Sequence, residues 1–178
     1  MTEIRARFTL ECRTNKSTKV KTFKPNSINK EMYKHWKADS NVMMRDAILA
    51  NKVGISYPRQ LEMIHGAIER ILKSLIIRKY GLEVSVHETS VIYDAIKDDL
   101  PSELNKIDYN TLRLLDSKYI LDRYPIENRF YSEEMIEMGF EVLLNINRLV
   151  EDSLELSKRA KKIIMEVEDQ LSIKKEDQ

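Results

Sequence analysis

A cationic segment that also carries tyrosines is the part of the sequence best suited to bind a ligand. It contains Lys118, Arg123 and Arg129, with Tyr119 and Tyr124 between them. The planar guanidinium of arginine can hold a phosphate through two parallel hydrogen bonds, and the backbone amides at the start of a following helix favour anions. We predict that these five residues form a phosphate- or nucleotide-binding site.

A structural role for the same segment is the alternative. Arg123 can form an ion pair with Asp122 or Asp116, while Tyr119 and Tyr124 fill the core. The surroundings of Arg123 and of its candidate carboxylate partners therefore decide between binding and structure.

Composition limits the kind of protein to which this segment belongs. Thirty Lys+Arg face 29 Asp+Glu, so the formal charge of +1 creates no overall field for a polyanion, and any such site must be a local patch. The four Gly, four Pro and 33% charged residues are typical of a helix-rich soluble protein. We expect one main domain with appendages.

The scarcity of metal-ligating residues argues against a metal site. Cys12 is the single cysteine and cannot form an internal disulfide, and the three histidines are scattered. We therefore expect no metal, no cofactor and a cytoplasmic protein. No apolar run approaches the roughly 20 residues that span a bilayer, so we expect no membrane partner.

The first part of the chain predicts strands. Apolar and polar residues alternate from Ile4 to Cys12 and again from Val20 to Phe23, with a polar turn between them. These patterns predict a β-hairpin over about residues 3–24. Two strands are marginally stable alone, so the hairpin should cover the helices or pair with a second subunit.

Helical periodicity begins after the hairpin. Asn29 is placed to cap a first helix that ends before Gly54, and its predicted apolar stripe starts at Met32. Pro58 suits the first turn of a second helix, which should end at Gly81. The third helix is predicted to start with a capping box over residues 85–88. A fourth, shorter helix carries Ile107, Leu112, Leu115 and Tyr119.

Ser132 is predicted to cap the last helix, which can run for about 35 residues because neither glycine nor proline follows Gly139. Apolar and small residues recur every three or four positions from Ile146 to Val167, as in a coiled-coil seam. Beyond about residue 152 this helix can pack on a partner subunit or on the hairpin, or remain a solvated tail.

The middle of the sequence resembles the HEPN domain, the helical family of higher eukaryotes and prokaryotes nucleotide-binding proteins. The similarity lies in the amphipathic run 60–75, in His87 near the start of the third helix, and in the Arg123-Tyr124-Pro125 element before a long last helix. It covers about residues 30–156. The resemblance implies an antiparallel bundle of four to five helices, mainly α, with a long C-terminal helix and here an N-terminal β-hairpin.

We accordingly divide the chain into a hairpin appendage (1–28), a HEPN-like bundle (29–156) and a C-terminal helix extension (157–178). The resemblance further implies a homodimer through the last helix and, as partner, a nucleotidyltransferase-type protein in a toxin–antitoxin pair.

Many HEPN proteins are metal-independent endoribonucleases that use an arginine followed, after four to six residues, by a histidine at the start of the last helix. Imidazole moves protons near neutral pH, while guanidinium stabilises charge on the phosphate. Counted from Arg123, the positions required for histidine hold Asn128, Arg129 and Phe130. Counted from Arg129, they hold residues 134–136, none of which is histidine. The motif is incomplete, so we expect no catalysis.

The pair Arg59 and His65 does fit the spacing, but a shuffled chain of this composition gives about 0.6 such matches by chance. Six positions along a helix also place the two side chains roughly 120° apart. We interpret His35 as a surface residue. We expect His87 to satisfy backbone groups or to pack beneath the second helix.

The sequence therefore predicts a non-catalytic HEPN-like module that binds a nucleotide, RNA or a protein partner. Two alternatives remain open: a divergent HEPN-type endoribonuclease, and a purely structural helical dimerisation protein.

Overall fold

The computed structural model describes residues 10–13, 20–23, 25–99, 107–122 and 130–154. These residues form five α-helices: α1 Tyr33–Lys52, α2 Tyr57–Tyr80, α3 Thr89–Ile96, α4 Tyr109–Asp122 and α5 Glu133–Leu154. Short 3-10 turns at Lys30–Met32 and Lys97–Asp99 precede α1 and follow α3. The mainly helical class predicted from the sequence is confirmed.

The hairpin is confirmed as well. Strand β1 (Leu10–Arg13) pairs antiparallel with β2 (Val20–Phe23), with Leu10 opposite Phe23. Strand β1 lies beside α3, as expected for a hairpin that covers helices. A second antiparallel pair, β3 (Asn26–Ser27) with β4 (Leu82–Glu83), was not predicted and joins the chain before α1 to the chain after α2.

Asn29 caps the 3-10 turn that leads into α1, because its side chain accepts a hydrogen bond from the backbone N–H of Glu31. Helix α1 itself begins after Met32 without a side-chain cap. The residues that α1 buries differ from those predicted. Met32, placed on the apolar stripe, is 37% exposed, whereas Lys37 is 2% exposed. Lys37 is buried because its ammonium donates hydrogen bonds to the side-chain oxygens of Asn41 and Asn147.

Helix α2 is the centre of the bundle and contacts all four other helices. Pro58 lies in its first turn, and Gly81 ends it in the left-handed conformation with φ of 63°, both as predicted. A side chain at Gly81 would also approach the carbonyl oxygen of Ile28 to 3.3 Å. The predicted apolar stripe is buried almost completely, and it includes Leu61, Ile64, Ile68, Ile71, Leu72 and Ile76.

The capping box predicted over residues 85–88 is wrong. Residues 84–88 are not helical, and α3 begins at Thr89 with no side-chain cap from Glu88. The first backbone N–H groups of α3 instead donate to the Asp116 carboxylate of α4. A residue distant in sequence thus supplies the cap that local spacing assigned to Ser85.

Helix α5 begins after Ser132, whose hydroxyl accepts a hydrogen bond from the Met135 N–H at 3.4 Å, as predicted. Gly139 lets α5 pack closely, since a Cβ there would lie 3.2 Å from the Ile64 side chain. The predicted extension of this helix past Leu154, including most of its seam, lies outside the described residues. None of the helices in the described part of the chain has the apolar length needed to cross a membrane.

Candidate functional site

The Asp116 carboxylate lies at the junction of three helices. Its Oδ1 accepts hydrogen bonds from the Thr89 N–H at 2.6 Å, the Thr89 hydroxyl at 2.8 Å and the His65 Nε2 at 3.0 Å. Its Oδ2 accepts from the Ser90 N–H at 2.9 Å and the Ser90 hydroxyl at 2.6 Å. These five contacts fasten α4 to the middle of α2 and to the N-terminus of α3.

The surroundings of Asp116 favour its charged form. Burial alone would raise the pKa of this carboxyl group, but the hydrogen bonds from His65 and Ser90 outweigh burial and hold the pKa below its ordinary value. Thr89 and Ser90 also place Asp116 at the positive end of the α3 dipole, which favours an anion. Asp116 is therefore a structural anion that caps α3.

The imidazole of His65 is fully buried. Because a carboxylate only accepts hydrogen bonds, the His65 Nε2 carries the proton shared with Asp116. The His65 Nδ1 has no hydrogen-bond partner among the described residues. One face of the ring stacks on Tyr119, with ring centroids 4.1 Å apart. His65 is thus enclosed and cannot meet a substrate from solution.

Arg59, the other half of the Arg–His match, is exposed and forms an ion pair with Glu62. The two side chains do not converge: the guanidinium is on the surface, and the imidazole is in the core. The structure agrees with the interpretation that this match arose by chance.

Lys118 connects α4 to the chain that enters α5. Its ammonium donates a hydrogen bond to the carbonyl oxygen of Phe130 at 2.8 Å and lies 5.0 Å from the centroid of the Tyr131 ring. An ammonium has three N–H donors, and the Phe130 contact uses one of them. The described residues on either side of segment 123–129 are therefore held together by a cation that retains further donors.

Two of the five predicted site residues, Lys118 and Tyr119, are described, and they have different neighbours. Lys118 contacts Phe130 and Tyr131, whereas Tyr119 stacks on His65. The other three, Arg123, Tyr124 and Arg129, lie outside the described residues.

Asp116 is one of the two carboxylates that the structural alternative assigns to Arg123 as ion-pair partners. A carboxylate offers about four lone-pair directions. Asp116 already accepts five hydrogen bonds from α2 and α3. Asp116 is thus already engaged by α2 and α3, while Arg123 lies outside the described residues.

The start of α5 is less suited to bind an anion than the sequence predicts. Ser132 already accepts one of its first amide donors, and Glu133 and Glu134 occupy the first turn. Two carboxylates repel an anion that approaches these amides, so the start of this helix is by itself a poor anion site.

A second polar cluster lies one turn further along α2. The Glu69 carboxylate is 6% exposed, and its Oε1 accepts hydrogen bonds from the Lys73 ammonium at 2.8 Å and from the His87 Nδ1 at 3.0 Å. The Lys73 ammonium also lies 5.3 Å from the centroid of the Trp36 ring. This cluster joins α2 to α1 and to the segment before α3.

His87 therefore differs from its prediction. Its ring binds the Glu69 side chain rather than backbone groups, and 56% of its side chain is exposed rather than covered by the second helix. The His87 imidazole lies at the edge of α2 because it binds the buried Glu69 carboxylate there. His35 is exposed on α1, as predicted.

Sequence reasoning missed Asp116, Glu69 and Lys73 as organising residues. A detectable signal was present in α2, where His65, Glu69 and Lys73 recur every four residues beside the apolar stripe. All three are buried. Apart from the Glu69–Lys73 bond within α2, their contacts are with Asp116, His87 and Trp36 on other segments. The spacing alone therefore indicated a row of polar residues but not the residues that contact it.

A comparison with family models matches residues 33–170 to the HEPN domain. The matched region is more than half of the 178-residue chain and continues past residue 156, where the similarity read from the sequence ended. No curated protein and no solved structure matches the chain. With its helical architecture and this match, the chain belongs to the HEPN domain family.

Proposed function

We propose that this protein is a non-catalytic HEPN module that binds a phosphate-bearing ligand, either a nucleotide or RNA, at the end of α4. The ligand contacts are Lys118, Arg123 and Arg129, with Tyr119 and Tyr124 as neighbours.

Membership of the HEPN family supports a function related to nucleotides or RNA. The single observation that carries the non-catalytic part is the burial of His65. It is the histidine that contacts α4, yet it is fully buried, bonded to Asp116 and covered by Tyr119. His87 is held by Glu69, one helical turn away along α2. In the described part of the chain, neither His65 nor His87 is therefore placed to accept a proton from a ligand at Lys118.

The binding test is a titration of the purified protein with ribonucleotides and with a short single-stranded RNA, followed by the melting temperature. Ligand that binds the folded form alone raises the melting temperature. We expect such a rise for the parent and a much smaller one for Arg123→Ala. The matched control is Arg113→Ala, which removes an exposed arginine from α4 and should keep the full rise.

Two results would overturn the binding proposal. One is a melting temperature unchanged by every nucleotide and by RNA. The other is a rise that Arg123→Ala retains in full, since the ligand would then bind elsewhere.

The non-catalytic part has its own test. Labelled tRNA and mRNA incubated with the protein in EDTA should remain intact. Cleavage by the parent that disappears in Arg123→Ala would establish the divergent endoribonuclease instead.

The proposal includes a homodimer and a protein partner. HEPN domains often dimerise, and the sequence seam favours pairing through the last helix. A nucleotidyltransferase-type protein in a toxin–antitoxin pair is the protein partner that the family implies. Co-expression with the product of a neighbouring nucleotidyltransferase gene should yield one complex in gel filtration, and separate elution of the two proteins would contradict this partner.

A further inference from the structure

Phe130 is the most exposed phenylalanine, tyrosine or tryptophan in the part of the chain whose side chains the structure describes. It is 70% exposed, against 40% for Tyr109 and 38% for Tyr57. The next residue, Tyr131, differs from it, because that ring is half-buried and packs against the core. An aromatic ring stabilises a fold through the apolar area that it buries. The Phe130 ring therefore adds little to the stability of the fold, and its face is open to a ligand.

The backbone of Phe130 is fixed beside a cation. The Lys118 ammonium donates a hydrogen bond to the Phe130 carbonyl oxygen at 2.8 Å, and it lies 5.0 Å from the centroid of the Tyr131 ring. Because the Phe130 ring belongs to the residue whose carbonyl accepts this bond, the ring lies within about one side-chain length of the ammonium. The ammonium retains N–H donors for a ligand. An exposed aromatic face and a cation thus lie side by side.

These two groups match the two ends of a nucleotide. A nucleobase stacks on an aromatic face, and a phosphate oxygen accepts a hydrogen bond from an ammonium. A bare anion is less well served here, because Glu133 and Glu134 lie in the first turn of α5 and repel it. An ion pair with a single cation near the surface is also weak. Stacking on Phe130 supplies affinity that Lys118 alone does not.

We propose that Phe130 is a base-stacking residue, and that the ligand of this site carries an unpaired nucleobase, as a nucleotide or single-stranded RNA does. This inference rests on the proposed function, because Lys118 is one of the ligand contacts named there. It adds that the base, and not the phosphate alone, selects the ligand. Duplex RNA keeps its base faces within its own stack, and inorganic polyphosphate has no base. Both should therefore bind more weakly than a ligand with a free base.

The first test compares ligands with and without a base by isothermal titration of the full chain. At least one of ATP and a short oligoadenylate should bind about tenfold more tightly than inorganic tripolyphosphate. Phe130→Leu keeps an apolar side chain but removes the aromatic face, so it should abolish this preference and leave the Kd for tripolyphosphate unchanged. Its circular dichroism spectrum should be parental, because residue 130 is 70% exposed. The control Tyr109→Leu, at the opposite end of α4, should keep the preference.

The outcomes of this titration separate the stacking role from the proposed function. If the parent binds tripolyphosphate as tightly as ATP and the oligoadenylate, or if Phe130→Leu keeps the parental preference, then Phe130 does not stack on a base and a plain phosphate site remains. If the parent binds none of the three ligands, the proposed function itself is wrong, and the stacking role fails with it.

The second test detects stacking directly and identifies the form of the ligand. Phe130→Trp keeps an aromatic face, and a base stacked on the new indole should quench its fluorescence. The parent is the control, because its single tryptophan, Trp36, lies beside Lys73 and should not be quenched. Quenching by ATP identifies a nucleotide ligand, whereas quenching by the oligoadenylate alone identifies single-stranded RNA. Quenching by neither, or equal quenching by the same strand in a duplex, overturns the proposal.

Discussion

The imidazole of His65 stacks on the phenol ring of Tyr119, with ring centroids 4.1 Å apart and an angle of 12° between the planes. The pair joins the polar row of α2 to the last turns of α4, next to Lys118. A histidine and a tyrosine that sequence inspection treats separately thus form one contact, and that contact removes the histidine from solvent.

Replacing Asp116 should destabilise the fold. In Asp116→Asn, the new amide directs two N–H donors at groups that are themselves donors, so buried hydrogen bonds to α2 and α3 are lost. We expect the free energy of unfolding to fall by about 2–4 kcal/mol in urea denaturation. The control is Asp108→Asn, because Asp108 is exposed at the start of α4, where asparagine caps as well. Equal losses for the two variants would contradict the central role of Asp116.

Acid should weaken the fold through the same carboxylate. The pKa of Asp116 is lower in the folded protein than its ordinary value of 3.8. The stabilisation is therefore complete above about pH 4 and is lost as pH falls through the lower pKa of the folded state. Melting temperatures measured from pH 7 to pH 2.5 should fall less steeply for Asp116→Asn than for the parent. Parallel profiles would show that Asp116 does not contribute to the acid transition.

Removing only one charge of the Glu69–Lys73 pair should lower the free energy of unfolding. Lys73→Met leaves the buried Glu69 carboxylate with His87 as its hydrogen-bond partner, so we expect the free energy of unfolding to fall by about 3 kcal/mol. Removing both charges in Glu69→Leu with Lys73→Met should cost less than the sum of the single changes. A double-mutant cycle by urea denaturation measures this coupling, and additive losses would refute it.

Lys118 should matter more for ligand binding than for stability. Its ammonium binds the Phe130 carbonyl at a half-buried position, so Lys118→Met should change the free energy of unfolding by less than about 1 kcal/mol. The nucleotide- or RNA-dependent rise in melting temperature should nevertheless shrink, since a cation at the end of α4 is lost. Arg113→Met, on the same helix, should keep the rise. A full rise in Lys118→Met would place the ligand away from this end of α4.

The periodicity of the sequence determined most of the helical framework. The boundaries of α2 followed from Pro58 and Gly81, and Asn29 and Ser132 marked the starts of the first and last helical segments. These signals act within a few residues, because a helix ends where backbone donors or acceptors lose their partners. The sequence also determined that no histidine follows Arg123 or Arg129 at the motif spacing, because this depends only on the order of residues.

Tertiary structure alone decided the polar interior. Asp116 lies 27 residues from Thr89 and 51 from His65, yet it caps the helix of one and orients the ring of the other. Lys37 is buried because Asn147, 110 residues away, supplies a hydrogen-bond partner for its ammonium. A buried polar group needs a hydrogen bond wherever the fold can provide one. That partner is set by which helices pack together, and residue order along one helix does not contain this information.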